Sequence, residues 1–412
     1  GQPQLALPGR RIEAIAAVER HLAEYRDDAS VFPLKRLLYQ DLSEEEFEAA
    51  CDGDRVPASF DYTYTQQLGT ALLADLARWE RGAAYLRMAV RGQPTLAPGI
   101  YIQLAEAFHK AEQDDQMWKY LRGSRQAGLA VGHKNLPEQE KHNYFWAVKQ
   151  LGEEAMDRGD IDAALENFNL YAEYERAGIE TLRIIAKLYE QKEDALAALR
   201  VTDRALQFNA KDKDLLERRD RYYISVTPDV LRSNLETVQK EFDVDYCLRK
   251  AKELLDFPEA DLDVVDWAEH LIDLALAVKP DSRRAKVMKA RAQWRRGEVE
   301  TAATLLEEVR TPKPEKFPSV DDEEAWFISC QLLGDLYLNN LAKPDLAVAC
   351  LNDFRKSPKS GAKTLYRLGQ AYEALGDTTK AVRCYQQVTA YEGNPLAPDA
   401  HDALERLGHR AS

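Results

Sequence analysis

Residues 365–395 read LYRLGQAYEALGDTTKAVRCYQQVTAYEGNP. Leu368 and Gly369 are followed by Tyr372, and Ala381, Tyr385 and Val388 follow in the second half. The latter three stand at i, i+4 and i+7, which places them on one face of a helix. Gly376 and Asp377 fall between the halves, where glycine can take the left-handed conformation that ends a helix. The stretch therefore predicts a helical hairpin.

The pattern recurs along the chain. A Leu-Gly or similar pair, often with an aromatic three residues on, stands at Leu68-Gly69, Leu104-Ala105 with Phe108, Leu151-Gly152, Ile185-Ala186 with Tyr189, Leu333-Gly334 with Tyr337, and Leu368-Gly369 with Tyr372. The i, i+4, i+7 triplet occurs eight times: Gly82/Leu86/Ala89, Met117/Leu121/Ser124, Ala164/Phe168/Tyr171, Ala198/Thr202/Ala205, Ala268/Ile272/Ala275, Ala302/Leu306/Val309, Ala347/Leu351/Phe354 and Ala381/Tyr385/Val388. Glycines also mark the turns at Gly159-Asp160 and Gly297-Glu298. The small residue lets paired helices approach, and the large one fills the gap to the next hairpin. A hairpin cannot bury its own apolar face, so stacking must supply the core.

This resembles the tetratricopeptide repeat, a unit of about 34 residues with W-x2-L-G-x2-Y in its first helix. The resemblance implies an all-α superhelical solenoid of about eight hairpins. The expected organisation is an irregular helical N-terminal cap over 1–57, a first array over 58–212, a degenerate hairpin with an inserted helix over 213–242, a second array over 243–396, and a capping helix with tail over 397–412. In the degenerate segment Arg219 and Asp220 occupy positions where the repeat wants apolar and small residues, and charges in so tight a contact are costly. In the N-terminal segment, Ser43 with Glu46 forms a capping box. LKRLLYQDLSEEEFEAACDG could be part of a DNA-binding helix-turn-helix, but no basic recognition helix follows, so it reads as a cap. The connection RTPKPEKFPSVDDEE (310–324) reads as an exposed loop.

Composition limits the function. The net charge of −14 would repel phosphate backbones and anionic lipid heads. No apolar run approaches the roughly 20 residues of a membrane span. The five cysteines are scattered and form no C-x-x-C pair, which suits reduced, buried thiols and a cytoplasmic setting. The chain starts with Gly1, which reads as a processed or cloned fragment with something upstream. Phosphate-loop, dinucleotide, zinc-protease and nucleophile-elbow motifs are missing, and the seven histidines have no ligand spacing. Neither catalysis, nor a cofactor, nor a metal is expected.

Binding residues are sought on the first helices, which line the inner groove in tetratricopeptide arrays and there hold extended or helical peptides. KPDSRRAKVMKARAQWRRGE (279–298) carries a local charge of +6. Arg284, Met288, Arg291 and Arg295 fall at i, i+4, i+7 and i+11, forming one stripe, with Val287, Ala290 and Trp294 on the side expected to be buried. Lys363 and Arg367 lie four apart two hairpins later. Guanidinium groups suit carboxylates or phosphates, so an acidic or C-terminal peptide is the expected ligand, against the simpler reading of a solvated basic face. Lys363 and Arg367 resemble part of the carboxylate clamp of chaperone-binding relatives. Its remaining positions are held by Val287, Arg291 and Leu332, and Asp335 would oppose an acidic tail, so a chaperone-tail receptor is not expected. Toward the N-terminus Gln66, Gln67 and Gln103 would give a neutral polar groove, with Tyr62, Tyr64 and Trp146 on or beside it.

The expected function is a non-catalytic protein–protein interaction scaffold with a peptide-binding groove. The rivals are a regulatory or sensor module of a larger protein, attached for example to a kinase or transcription-regulator domain, a peptide-sensing transcription regulator, and an enzyme. Partner identity and oligomeric state are not encoded in any motif.

Overall fold

The computed structural model describes residues 10–409, apart from 54, 76, 241, 258–260 and 392. It contains helices and turns, and among the described residues no strand beyond an isolated bridge between Asp52 and Arg55. The chain divides into two compact units, Gly1–Ala210 and Lys211–Ser412.

The first unit opens with α1 (Arg10–Glu24), α2 (Phe32–Gln40) and α3 (Glu44–Ala49). Four hairpins follow: α4 (Tyr62–Leu73) with α5 (Trp79–Gly92), α6 (Ala97–Lys110) with α7 (Asp114–Val131), α8 (Glu138–Asp157) with α9 (Ile161–Tyr171), and α10 (Gly178–Gln191) with α11 (Ala195–Leu206). The second unit begins with α12 (Lys213–Ser225), α13 (Pro228–Ser233) and α14 (Leu235–Val238). Its four hairpins are α15 (Val244–Asp256) with α16 (Leu262–Val278), α17 (Arg283–Arg295) with α18 (Val299–Arg310), α19 (Val320–Asn339) with α20 (Pro344–Phe354), and α21 (Ala362–Ala374) with α22 (Thr378–Thr389). The last helix is α23 (Ala397–Arg406).

The eight triplets fall on the second helices of the eight hairpins, and all their residues except Met117 and Tyr171 are buried. Each large aliphatic or aromatic member contributes about 1.5–3 kcal/mol by leaving water. Their partners are the small residues of the first helices. A Cβ on Gly369 would come within 2.6 Å of the Tyr385 ring, and one on Gly334 within 2.5 Å of Leu351. The Leu-Gly pair thus has a steric cause: the glycine is the socket for the large residue of its own second helix.

Five of the hairpin turns, at Glu112, Gly159, Glu193, Gly297 and Gly376, share one geometry. Gly376 is left-handed at φ 76, the Asp377 amide returns to the Tyr372 carbonyl at 2.9 Å, and the Asp377 carboxylate caps α22 through the Lys380 amide. Glu193 occupies the same place between α10 and α11 at φ 58, with the Asp194 amide on the Tyr189 carbonyl at 3.0 Å. A side chain held left-handed costs roughly 1–2 kcal/mol, part of which glycine returns as unfolded-chain entropy. Glu193→Gly is therefore expected to stabilise the protein by about 0.5–1 kcal/mol. Urea unfolding followed by circular dichroism checks this, and a lowered midpoint would contradict it.

The N-terminal helices cap the first hairpin. Ile12, Ile15, Leu38, Tyr39, Phe47 and Phe60 form one apolar cluster with Tyr85 and Met88 of α5. The Tyr85 hydroxyl donates to the Tyr39 carbonyl at 2.8 Å, and Arg87 forms a two-point pair with Glu44 at 2.7 and 2.6 Å. Ser43 and Glu46 make the expected capping box. Tyr62 and Tyr64 pack against this cluster, where Tyr62 meets Phe47 edge-on and Tyr64 meets Tyr39 in the same way.

The charged pair in α12 is accommodated, not excluded. Arg219 lies 3.8 Å over the Tyr246 ring and 2.9 Å from Asp243, while Asp220 accepts from the Tyr246 hydroxyl. Tyr246 stacks on Tyr223 at 4.8 Å. The guanidinium is desolvated by an aromatic face and balanced by a carboxylate, which removes most of the burial cost. At the far end α23 buries Ala400, Ala403 and Leu404 and covers the last hairpin.

Candidate functional site

The site is built from the first helices of the second unit. Ser282 caps α17 by accepting from the Ala285 amide. Val287 and Ala290 then turn into the core shared with Leu306 and Leu333, and Trp294 packs partly buried against it. The helical period leaves Arg284, Met288, Arg291 and Arg295 on another face.

Two connected clefts run along that face. The first, of about 720 Å³, is lined by Arg284, Met288 and Arg291 of α17, Lys252 of α15, and Glu324 and Ile328 of α19. The second, of about 1300 Å³, shares Arg291, Glu324 and Ile328 and adds Trp294, Arg295, Leu332, Asp335 and Lys363. A third opening shares Ile328, Gln331, Lys359 and Lys363 with the second and continues to Thr364 and Asn394. The surface is apolar at its floor and cationic at its walls.

Charges along the first two clefts are unequal. Six cations, Lys252, Arg284, Arg291, Arg295, Lys359 and Lys363, face three carboxylates, Asp321, Glu324 and Asp335. Arg291 pairs with Asp256 at 2.8 Å, Arg295 donates to the Phe257 carbonyl at 2.6 Å, and Lys359 pairs with Glu324. Of the three arginines Arg284 is the least engaged: its nearest carboxylates, Asp245 and Asp321, are 3.7 and 4.0 Å away. Burial pushes the Asp335 carboxyl above its ordinary range, against the pull of Arg367 at 3.2 Å and of Lys363.

The structure brings Arg284, Met288, Arg291, Arg295 and Lys363 together on these clefts. Arg367 is held to one side by Asp335 and by Gln370, to which it donates at 2.9 Å. Gln66, Gln67 and Gln103 belong to the other unit, where Gln103 accepts from Thr70 at 2.8 Å and Gln67 is exposed. Trp146 of α8 is 39% exposed. Lys252, Ile328 and Leu332 are functional candidates that motif reading passed over. Their signal lay in α19, whose apolar residues extend beyond its buried face. Trp326, Leu333 and Leu336 are buried, and Ile328 and Leu332 are left half-exposed on the remaining face.

Among the described residues no cluster of His, Cys, Asp and Glu could hold a metal ion, and no helix is long and apolar enough to cross a membrane. All five cysteines are free thiols, four of them buried.

The tetratricopeptide repeat family models match residues 266–316, which include α17 and α18, and residues 363–392, which span α21 and α22. Those two stretches carry tetratricopeptide repeats. No curated protein matches its sequence. Among solved structures it is similar to a tetratricopeptide repeat protein from Parabacteroides merdae, at 16% identity over 76% of this chain and 99% of that one, with a TM-score of 0.28. It is also similar to the P58(IPK) TPR domain, at 15% identity over 96% and 98% of the two chains, with a TM-score of 0.27. Tetratricopeptide repeats generally mediate protein–protein interaction, and proteins built from them are typically non-catalytic scaffolds.

Proposed function

We propose that this protein is a non-catalytic scaffold that docks a peptide or protein segment on the first-helix face of its second unit. The observation that carries the reading is the continuity of the clefts along α17 and α19, with half-exposed Ile328 and Leu332 at their floor and excess positive charge on their walls. Both side chains pack against the core on one side and stay partly exposed to the clefts on the other, which leaves apolar surface for a partner to cover. The cations fix orientation and speed encounter. The function is display of fixed side chains, with no covalent step. A cytoplasmic setting is part of the reading, supported by the five unpaired thiols.

The test fills the floor. Ile328→Arg with Leu332→Arg places two charges where a partner would bury apolar groups, while both parent residues are partly exposed, so the fold tolerates the change. A partner peptide is expected to bind this variant at least roughly 10-fold more weakly than wild type in fluorescence anisotropy. Unchanged affinity in a variant that keeps the wild-type circular dichroism spectrum would refute docking at this face.

A further inference from the structure

The two main clefts are successive positions in one slot. On α17 the first uses Arg284, Met288 and Arg291, and the second Arg291, Trp294 and Arg295. On α19 the first uses Asp321, Ala325 and Ile328, and the second Ile328, Leu332 and Asp335. Between the apolar floor residues the step is six residues on α17, Met288 to Trp294, and four on α19, Ile328 to Leu332, which is roughly 9 and 6 Å at 1.5 Å per residue. The advance has the same sign on both helices, so the slot runs along their axes. Each cleft has its own apolar bottom: Met288 with Ile328 in the first, Trp294 with Leu332 in the second. Arg291 stands between them.

The charges select the occupant. Of the three carboxylates, Glu324 is taken by Lys359 and Asp335 by Arg367. Arg284 is 39% exposed and has no carboxylate closer than 3.7 Å. Lys252 and Lys363 make no ion pair among the described residues. A basic segment would meet these cations with nothing to offset them, whereas carboxylates would find unsatisfied partners at both ends of the slot.

We infer that the docked segment is an acidic peptide carrying two apolar anchors roughly 6–9 Å apart, one seated between Met288 and Ile328 and the other between Trp294 and Leu332. This rests on the docking function proposed above. A polyproline-type strand covers that distance in three residues and returns to the same side, so its anchors stand at i and i+3. A helix covers about 6 Å in four residues and returns to the same face, so its anchors stand at i and i+4.

The experiment selects random-sequence dodecapeptides displayed on phage against the full chain. Enriched peptides are then measured by fluorescence anisotropy on wild type, on Arg284→Glu/Arg291→Glu, and on Ile328→Arg. The expected peptides are net acidic, with two apolar residues at i, i+3 or i, i+4. Alanine at either anchor weakens binding roughly 10-fold. The double arginine reversal weakens it roughly 10- to 100-fold. Arg284→Ala/Arg291→Ala serves as the milder pair should reversal disturb folding, with a loss of roughly 10-fold. Neutral or basic peptides, or peptides in which a single anchor suffices, overturn the inference. If such peptides still lose binding to Ile328→Arg, the docking face itself stands. Peptides that bind Ile328→Arg as tightly as wild type overturn both. A single-stranded oligonucleotide of matched charge that binds as tightly, and loses as much on arginine reversal, overturns the peptide assignment in favour of nucleic acid.

Discussion

Truncating Tyr385 to alanine is expected to destabilise the Lys211–Ser412 unit by about 3–5 kcal/mol. The ring is fully buried, fills the socket left by Gly369, lies 5.6 Å from Tyr366, and donates its hydroxyl to Glu373 at 2.8 Å. Removing it opens a cavity that neighbouring helices cannot close without breaking their own stacking. Tyr385→Phe keeps the ring and loses about 1 kcal/mol with the hydrogen bond. Gly369→Ala probes the other side of the contact. Alanine would gain about 1 kcal/mol of helix propensity, yet its Cβ would lie 2.6 Å from the rigid ring. Overpacking of this kind costs about 1–3 kcal/mol, so a net loss is expected. Urea unfolding of the full chain by circular dichroism measures all three. A loss below about 1 kcal/mol for Tyr385→Ala would contradict the socket described for this hairpin.

Reversing Arg284, Arg291 and Arg295 to glutamate is expected to weaken an acidic ligand by at least about 100-fold, since each charge-assisted hydrogen bond lost is worth about 1.5–3 kcal/mol. The structural cost is small. Arg291 and Arg295 have only exposed partners, Asp256 and the Phe257 carbonyl, and exposed pairs of this kind contribute about 0–1 kcal/mol. Binding and stability should therefore separate, with affinity lost and the melting curve little moved. Asp335→Asn works in the other direction, because it removes a carboxylate from the second cleft and should tighten the same ligand. Isothermal titration of the variants decides. Equal affinity across the triple reversal would reduce the stripe to a solvated face.

Much of the fold was legible because steric roles repeat. The triplet of small, large and small residues reports a helix-to-helix contact that each hairpin must make, so it recurs with a fixed period and survives changes such as Leu86, Phe168 or Tyr385 at the large position. The left-handed turns were legible where glycine fills them and hidden where Glu112, Glu193 or Ala342 does. In those turns helix-end hydrogen bonds hold the backbone whatever the side chain. How α12 keeps its charges was hidden for a related reason: Arg219 is stabilised by Tyr246 and Asp243, which lie 24 to 27 residues further along the chain. The basic stripe on α17 could be read from helical period alone. The floor of the slot could not, because Ile328 and Leu332 carry the same letters as core residues. Only the placement of their neighbours shows that they reach the clefts as well as the core.

The most direct measurement is where a bound peptide touches the protein. A selected peptide carrying a photoreactive benzophenone in place of one apolar anchor would be cross-linked to the full chain and mapped by mass spectrometry. Docking in the slot requires adducts on Met288 and Ile328, or on Trp294 and Leu332, according to which anchor is replaced. Adducts confined to the second helices α18 and α20, or to the Gly1–Ala210 unit, would contradict it.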